Sequence, residues 1–213
     1  MEQTLDLTPF TMALREAFPE QVAFCGIQGS YGRGEAGPDS DVDLVVILEE
    51  AGARELERYR ALIASMPFAK RACGFVCARR ALAVWPKFDA LQLLLDTKPL
   101  YGELSPLLPP MGPGDIALAS AAAASMVYHA ACHAFLFQGP AEDWLPALSK
   151  AVFFALRLER YRRTGTYLPR RQTLREALSP AERALLEPVG SPAGYCAALM
   201  DWAQKVMEDA GKP

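Results

Sequence analysis

The sequence predicts an α/β (α+β) domain built on a short mixed sheet, followed by an all-α helical bundle. Three observations predict it. Two short apolar segments rich in β-branched residues, 22–27 and 44–48, flank a turn containing Gly29 and Ser30. A stretch over 105–114 carries Pro106, Pro109, Pro110 and Pro113 with two glycines, the composition of a linker. Beyond it only helical periodicity remains, with no strand signal. The expected organisation is therefore a first domain over 1–104, a linker over 105–114 and a helical domain over 115–213.

Taken in order, Thr8-Pro9 supplies an N-cap and a proline at the first helical position, and the helix is predicted to run to Phe18, before Pro19. Val22 to Ile27 reads as a buried strand, the Gly29-Ser30 turn opens a short helix, and Leu44 to Leu48 reads as a second strand. A helix over Glu55 to Ser65 ends at Met66-Pro67, because a residue before proline leaves helical space. A third strand is expected within 68–78, then a helix over Phe88 to Asp96. The second half offers three or four helical runs. They cover Asp115 to Phe137, Trp144 to Thr164 with Gly165 as its C′ glycine, a short helix opened by the capping box Ser179-Pro180-Ala181-Glu182, and a last one from Ser191-Pro192 to Ala210.

Composition bounds the function classes. The 213 residues, 51% hydrophobic and 22% charged, can build real cores. The start, Met1-Glu2-Gln3-Thr4, is not a signal peptide, and no uninterrupted apolar run of membrane-spanning length is read, so no membrane role is expected. The cysteines (Cys25, Cys73, Cys77, Cys132, Cys196) form no Cys-x-x-Cys pair, which points to a reduced, cytoplasmic setting. A net charge of −3 argues against a nucleic-acid binder. Within 145–175, eight basic residues stand against Glu159 alone. That block either steers an anionic substrate or forms a solvated helix face. His129 and His133 have a metal-ligand spacing, but no third ligand is visible.

The chemistry concentrates at Asp41-Val42-Asp43. Alternation along a strand turns both carboxylates to one side, about 7 Å apart, while Val42 faces a core. Hard oxygen ligands placed this way suit Mg²⁺, which completes its shell with water and substrate phosphates. The Gly29-Ser30 turn offers backbone N–H groups and a hydroxyl to a phosphate chain. Together they point to phosphoryl or nucleotidyl transfer.

From Gly29 to Leu44 the sequence resembles the signature of the DNA polymerase β-type nucleotidyltransferase superfamily: Gly-Ser, a ten-residue spacer, then acid–apolar–acid before an apolar strand. The likeness is strongest to small bacterial domains of the kanamycin nucleotidyltransferase and minimal nucleotidyltransferase kind. Leu95 to Glu103 resembles the short strand and turn that close such domains. The resemblance covers the first half of the chain. It implies that Asp41 and Asp43 hold Mg²⁺, with two ions possible, and that Gly29, Ser30 and Arg33 meet the triphosphate of an NTP, ATP being the expected one. The implied activity moves a nucleoside monophosphate to a hydroxyl acceptor, a small molecule or a protein side chain.

Relatives place a third acid on a later strand, and the segment Arg71 to Cys77 has none. Asp89 is the expected catalytic substitute and Asp96 the alternative; Asp89 also suits an N-terminal helix position. The helical half resembles HEPN-type bundles, but the arginine–spacer–histidine ribonuclease motif is missing. Acceptor-site walls or a homodimer surface are expected of it. A rival reading is a catalytically degenerate nucleotide-binding or antitoxin-like module.

Overall fold

The computed structural model describes residues 5–137, 139–188 and 190–212. The chain divides into two compact units, 1–110 and 111–213. The first runs α1 (Thr8–Ala17), β1 (Val22–Ile27), α2 (Gly29–Arg33), β2 (Val42–Leu48), α3 (Ala53–Ala64), β3 (Ala72–Ala78), α4 (Arg79–Leu82), α5 (Lys87–Asp96) and β4 (Lys98–Tyr101). The four-stranded sheet has the order β3-β2-β1-β4. β1 pairs antiparallel with β2 and with β4, whereas β2 and β3 are parallel. A parallel neighbour needs a crossover, and α3 supplies it.

β2 is buried on both faces, which is why it reads as a continuous apolar run. Val42, Leu44, Val46 and Leu48 pack with Cys25 and Ile27 of β1 against Phe10 and Leu14 of α1 and Phe18 just beyond it. Phe10 meets Phe68 edge to face at 5.9 Å. Burial pushes the Cys25 thiol up to about 12 and the Cys77 thiol up to about 11, as for inert core cysteines.

Several boundaries differ from expectation. The N-cap of α1 is Leu7 and not Thr8, because the Asp6 carboxylate takes the Thr8 N–H at 2.9 Å and draws the helix start back. β2 begins at Val42, two residues early, since Val42 pairs with Ala72 across the parallel ladder. The four-residue α4 carried no periodicity to read. Within the proline-rich stretch, Ser105–Leu107 form a 3₁₀ turn with Leu107 and Leu108 buried.

The second unit consists of α6 (Pro113–Phe137), α7 (Ala141–Thr164), α8 (Arg171–Ala177), α9 (Pro180–Leu186) and α10 (Pro192–Ala210). Its core gathers Val127 and Ala131 of α6, Leu148, Val152 and Leu156 of α7, and Tyr195 and Leu199 of α10. The Ser179–Glu182 capping box is present: Ser179 Oγ accepts the Glu182 N–H and Glu182 Oε2 accepts the Ser179 N–H at 3.0 Å. Gly165 closes α7 at φ +67°. Five helices stand where three or four were expected, because α8 is short and buries Leu174 alone.

Part of the basic block is engaged within the bundle, while Lys150, Arg163 and Arg170 are exposed. Arg157 is 1% exposed, its guanidinium 4.5 Å from the Phe153 and Phe154 rings. Arg162 and Arg163 pair with Glu159, and Arg171 donates to the Leu186 carbonyl at 2.7 Å. One helix, α6, is long and apolar enough by length and composition to cross a membrane. Its alanines lower the local contrast that a membrane reading looks for.

Candidate functional site

β1 runs out at Ile27, Gln28 is extended, and Gly29 turns the chain at φ +63° into the single turn of α2. Gly34 ends that helix at φ +71°, another conformation that favours glycine. Gln28 fixes the entry. Its N–H donates to the Asp43 carbonyl at 2.8 Å, and its Nε2 donates to Thr97 Oγ1 at 2.8 Å. The start of α2 is thus tied both to β2 and to the segment after α5.

Asp43 is half-buried as the second residue of β2, Val42 is buried, and Asp41 is exposed just before the strand. A β-carbon added to Gly29 would fall onto Asp43 Oδ2, with Asp43 Cγ only 2.8 Å away. The carboxylate therefore occupies the space that glycine leaves, in direct contact with the turn. The absent side chain at residue 29 makes room for the acid at residue 43.

The loop from α2 to Asp41 is held by a residue that sequence reasoning missed. Arg71 Nη1 donates to Tyr31 Oη at 2.7 Å and to the carbonyls of Ser40 and Pro38 at 3.1 and 3.2 Å. Its guanidinium also lies 5.9 Å from the centre of the Tyr31 ring. No spacing rule joins residues 31, 40 and 71; only the β2–β3 pairing brings them together. Tyr31 packs on the core and presents its hydroxyl to Arg71.

Arg33 is engaged by Glu35 at 2.8 Å. Register sets Cys73, not an acid, opposite Asp43 on β3, and the Cys73 side chain is exposed. Of the two acids weighed for the third position, Asp89 is exposed in the first turn of α5. Asp96 ends that helix, and its carbonyl approaches Gly32 of α2. Seven residues of helix separate the two acids by about 10 Å, so only the Asp96 end of α5 adjoins the turn. Among the described residues, no group of three His, Cys, Asp or Glu could hold a metal ion, and His129 and His133 lie exposed on α6 without one. Tyr101 packs on the core with Arg15 stacked 4.5 Å from its ring centre.

The mixed sheet, with the Gly29 turn packed against Asp43, has a nucleotidyltransferase fold. Residues 11–73, from α1 to the start of β3, match the family model described as nucleotidyltransferase domain. Among solved structures, the chain is similar to the spectinomycin adenyltransferase AAD(9) from Enterococcus faecialis, solved with ATP and spectinomycin. The TM-score is 0.60 at 13% identity, over 95% of this chain and 98% of that one. A nucleotidyltransferase-like protein from Exiguobacterium sibiricum 255-15 superposes with a TM-score of only 0.35 at 15% identity, over 98% of this chain and 75% of that one. A search of curated proteins finds no match to the chain.

Proposed function

We propose that the chain transfers a nucleoside monophosphate from a nucleoside triphosphate, ATP being the expected one, to a hydroxyl acceptor. The observation that carries this reading is the Asp43 carboxylate packed against Gly29, so that acid and phosphate turn share one place. The turn's N–H groups and the Ser30 hydroxyl bind the β- and γ-phosphates, with Arg33 available once it leaves Glu35. Asp41 and Asp43 hold Mg²⁺. The donor set fits that ion, which takes one or two carboxylates and fills its shell with water and phosphate oxygens. When bound, Mg²⁺ neutralises charge on the triphosphate.

The acceptor oxygen attacks the α-phosphorus in line. The bond to the leaving pyrophosphate breaks, and the hydroxyl proton passes to a carboxylate, Asp96 by its place beside α2 or Asp89. AAD(9) was solved with spectinomycin, so small polyhydroxylated molecules are the first acceptors to screen, with protein hydroxyls second.

One observation favours a second reading. With Cys73 opposite Asp43, β3 presents no acid beside the metal pair, as in a module that binds nucleotide without transferring it. The test combines thermal shift with pyrophosphate release for the native chain and Asp43→Asn. Transfer predicts Mg-dependent ATP stabilisation and acceptor-dependent release, both lost in the variant. Stabilisation without release under every acceptor selects the binding module. Neither signal in the native chain overturns both readings.

A further inference from the structure

Three sulfur atoms gather where α6 packs on α10. Ala124 and Ala131 of α6 and Ala203 of α10 are fully buried in the apolar clusters these helices share. Such small side chains bring two helices close enough for short cysteine side chains to meet. Cys132 of α6 donates its S–H to Met200 Sδ of α10 at 3.2 Å. Cys196 lies one turn before Met200 on the same face of α10, which puts their β-carbons about 5–6 Å apart. Cys196 is buried, whereas Cys132 and Met200 are half-buried, so two of the three residues reach solvent.

We infer that Cys132, Cys196 and Met200 form a binding site for a soft monovalent metal ion, Cu(I) being the best match. Donor chemistry is the first argument. Thiolate and thioether sulfurs select Cu(I), while Mg²⁺ and Ca²⁺ want oxygen. Zn²⁺ is the poorer occupant, since its ligands are Cys, His and carboxylates, and no group of three such residues that could hold a metal occurs among the described residues. Geometry is the second argument. Metal–sulfur bonds of about 2.3 Å at trigonal angles set neighbouring sulfurs about 4 Å apart. From their present 3.2 Å, the Cys132 and Met200 sulfurs need to part by only about 0.8 Å. The three rotatable bonds of an unbranched methionine allow that. Electrostatics agree. Burial, with Cys132 beside it, pushes the Cys196 thiol up. A cation among the sulfurs reverses that preference, so binding exchanges the two S–H protons for one Cu(I). The bound ion ties α6 to α10 and stabilises the helical unit.

The experiment titrates the full chain with Cu(I), under anaerobic conditions, against the chelator bathocuproine disulfonate. A Cys73→Ser parent is used, which removes the exposed thiol. One Cu(I) per chain is expected, with thiolate-to-copper absorption in the ultraviolet and a raised melting temperature. Met200→Leu keeps the side-chain volume and should weaken binding at least tenfold. Cys132→Ser and Cys196→Ala should each abolish retention against the chelator, with helical circular dichroism kept. A parent chain that yields all its Cu(I) to the chelator overturns the inference. So does any folded one of the three variants that holds Cu(I) as tightly as the parent, which would mark an adventitious ion only. Should the variants fail to fold, X-ray absorption fine structure of the loaded parent decides. A shell of three sulfurs supports the site, and nitrogen or oxygen in that shell overturns it.

Discussion

Replacing Gly29 with alanine asks whether the turn and Asp43 are coupled. Two costs follow from the structure. Residue 29 sits at φ +63°, where a β-carbon costs about 1–2 kcal/mol of backbone strain. For a unit of this size, each kcal/mol lowers the melting temperature by roughly 4–8 °C. The second cost falls on the site. Asp43 Cγ would lie 2.8 Å from the new methyl, while ordinary contact begins near 3.4 Å, so the carboxylate must retreat about 0.6 Å at Cγ and further at Oδ2. Displacement of a reacting group by ~1 Å costs on the order of 10²-fold, so pyrophosphate release should fall by roughly 30- to 100-fold. The readouts are melting with ATP alone and with Mg-ATP, and pyrophosphate release with a competent acceptor. A Gly29→Ala chain that melts like the native one and keeps its full Mg-ATP stabilisation would refute the coupling.

Other outcomes follow from the same geometry. Arg71→Ala should weaken Mg-ATP binding and slow transfer while leaving most of the melting temperature, since Arg71 ties Tyr31, Pro38 and Ser40 together ahead of Asp41; Arg71→Lys should restore part of the loss, and equal kinetics in native and alanine forms would exclude a positioning role. Arg157→Ala should destabilise the bundle by on the order of 2–4 kcal/mol, because a buried cation among aromatic rings is removed; an unchanged melt with altered nucleotide affinity would return the arginine to the substrate. Glu182 gives a pH signature. Burial pushes its carboxyl up, but the Ser179 hydroxyl and amide, with Arg163, outweigh this and hold it below its usual 4.5. Its contribution is therefore complete above pH 4.5 and lost as pH falls below it. Ser179→Ala should cost about 1 kcal/mol near neutrality, with the gap to the native chain closing in acid; a constant gap down to the acid limit would contradict the assignment.

The first half of the fold was legible where consecutive residues carry the signal. β1, the Gly29-Ser30 turn and β2 announce themselves by apolar runs, glycine and acid parity, all within residues 22–48. The capping box at Ser179 and the C′ glycine at Gly165 were legible for the same reason, since both act within one helical turn. What stayed hidden depends on pairing across the sheet or bundle. Arg71 reaches its partners 31 to 40 residues away, and the place of Cys73 opposite Asp43 exists only once β3 finds its register. The arginines of α7 misled for the complementary reason: a charge count cannot tell a solvated guanidinium from one enclosed by Phe153 and Phe154.

The grip of Arg71 on the loop before Asp41 has a consequence for how this segment can vary. Two of its three acceptors are main-chain oxygens, which every amino acid offers alike. Residue identity at positions 38 and 40 is therefore nearly free as far as that clasp is concerned, but the number of residues is not. One residue more or fewer between Gly34 and Asp41 would carry the oxygens out of reach, so the loop works as a ruler that tolerates respelling and rejects a change of length.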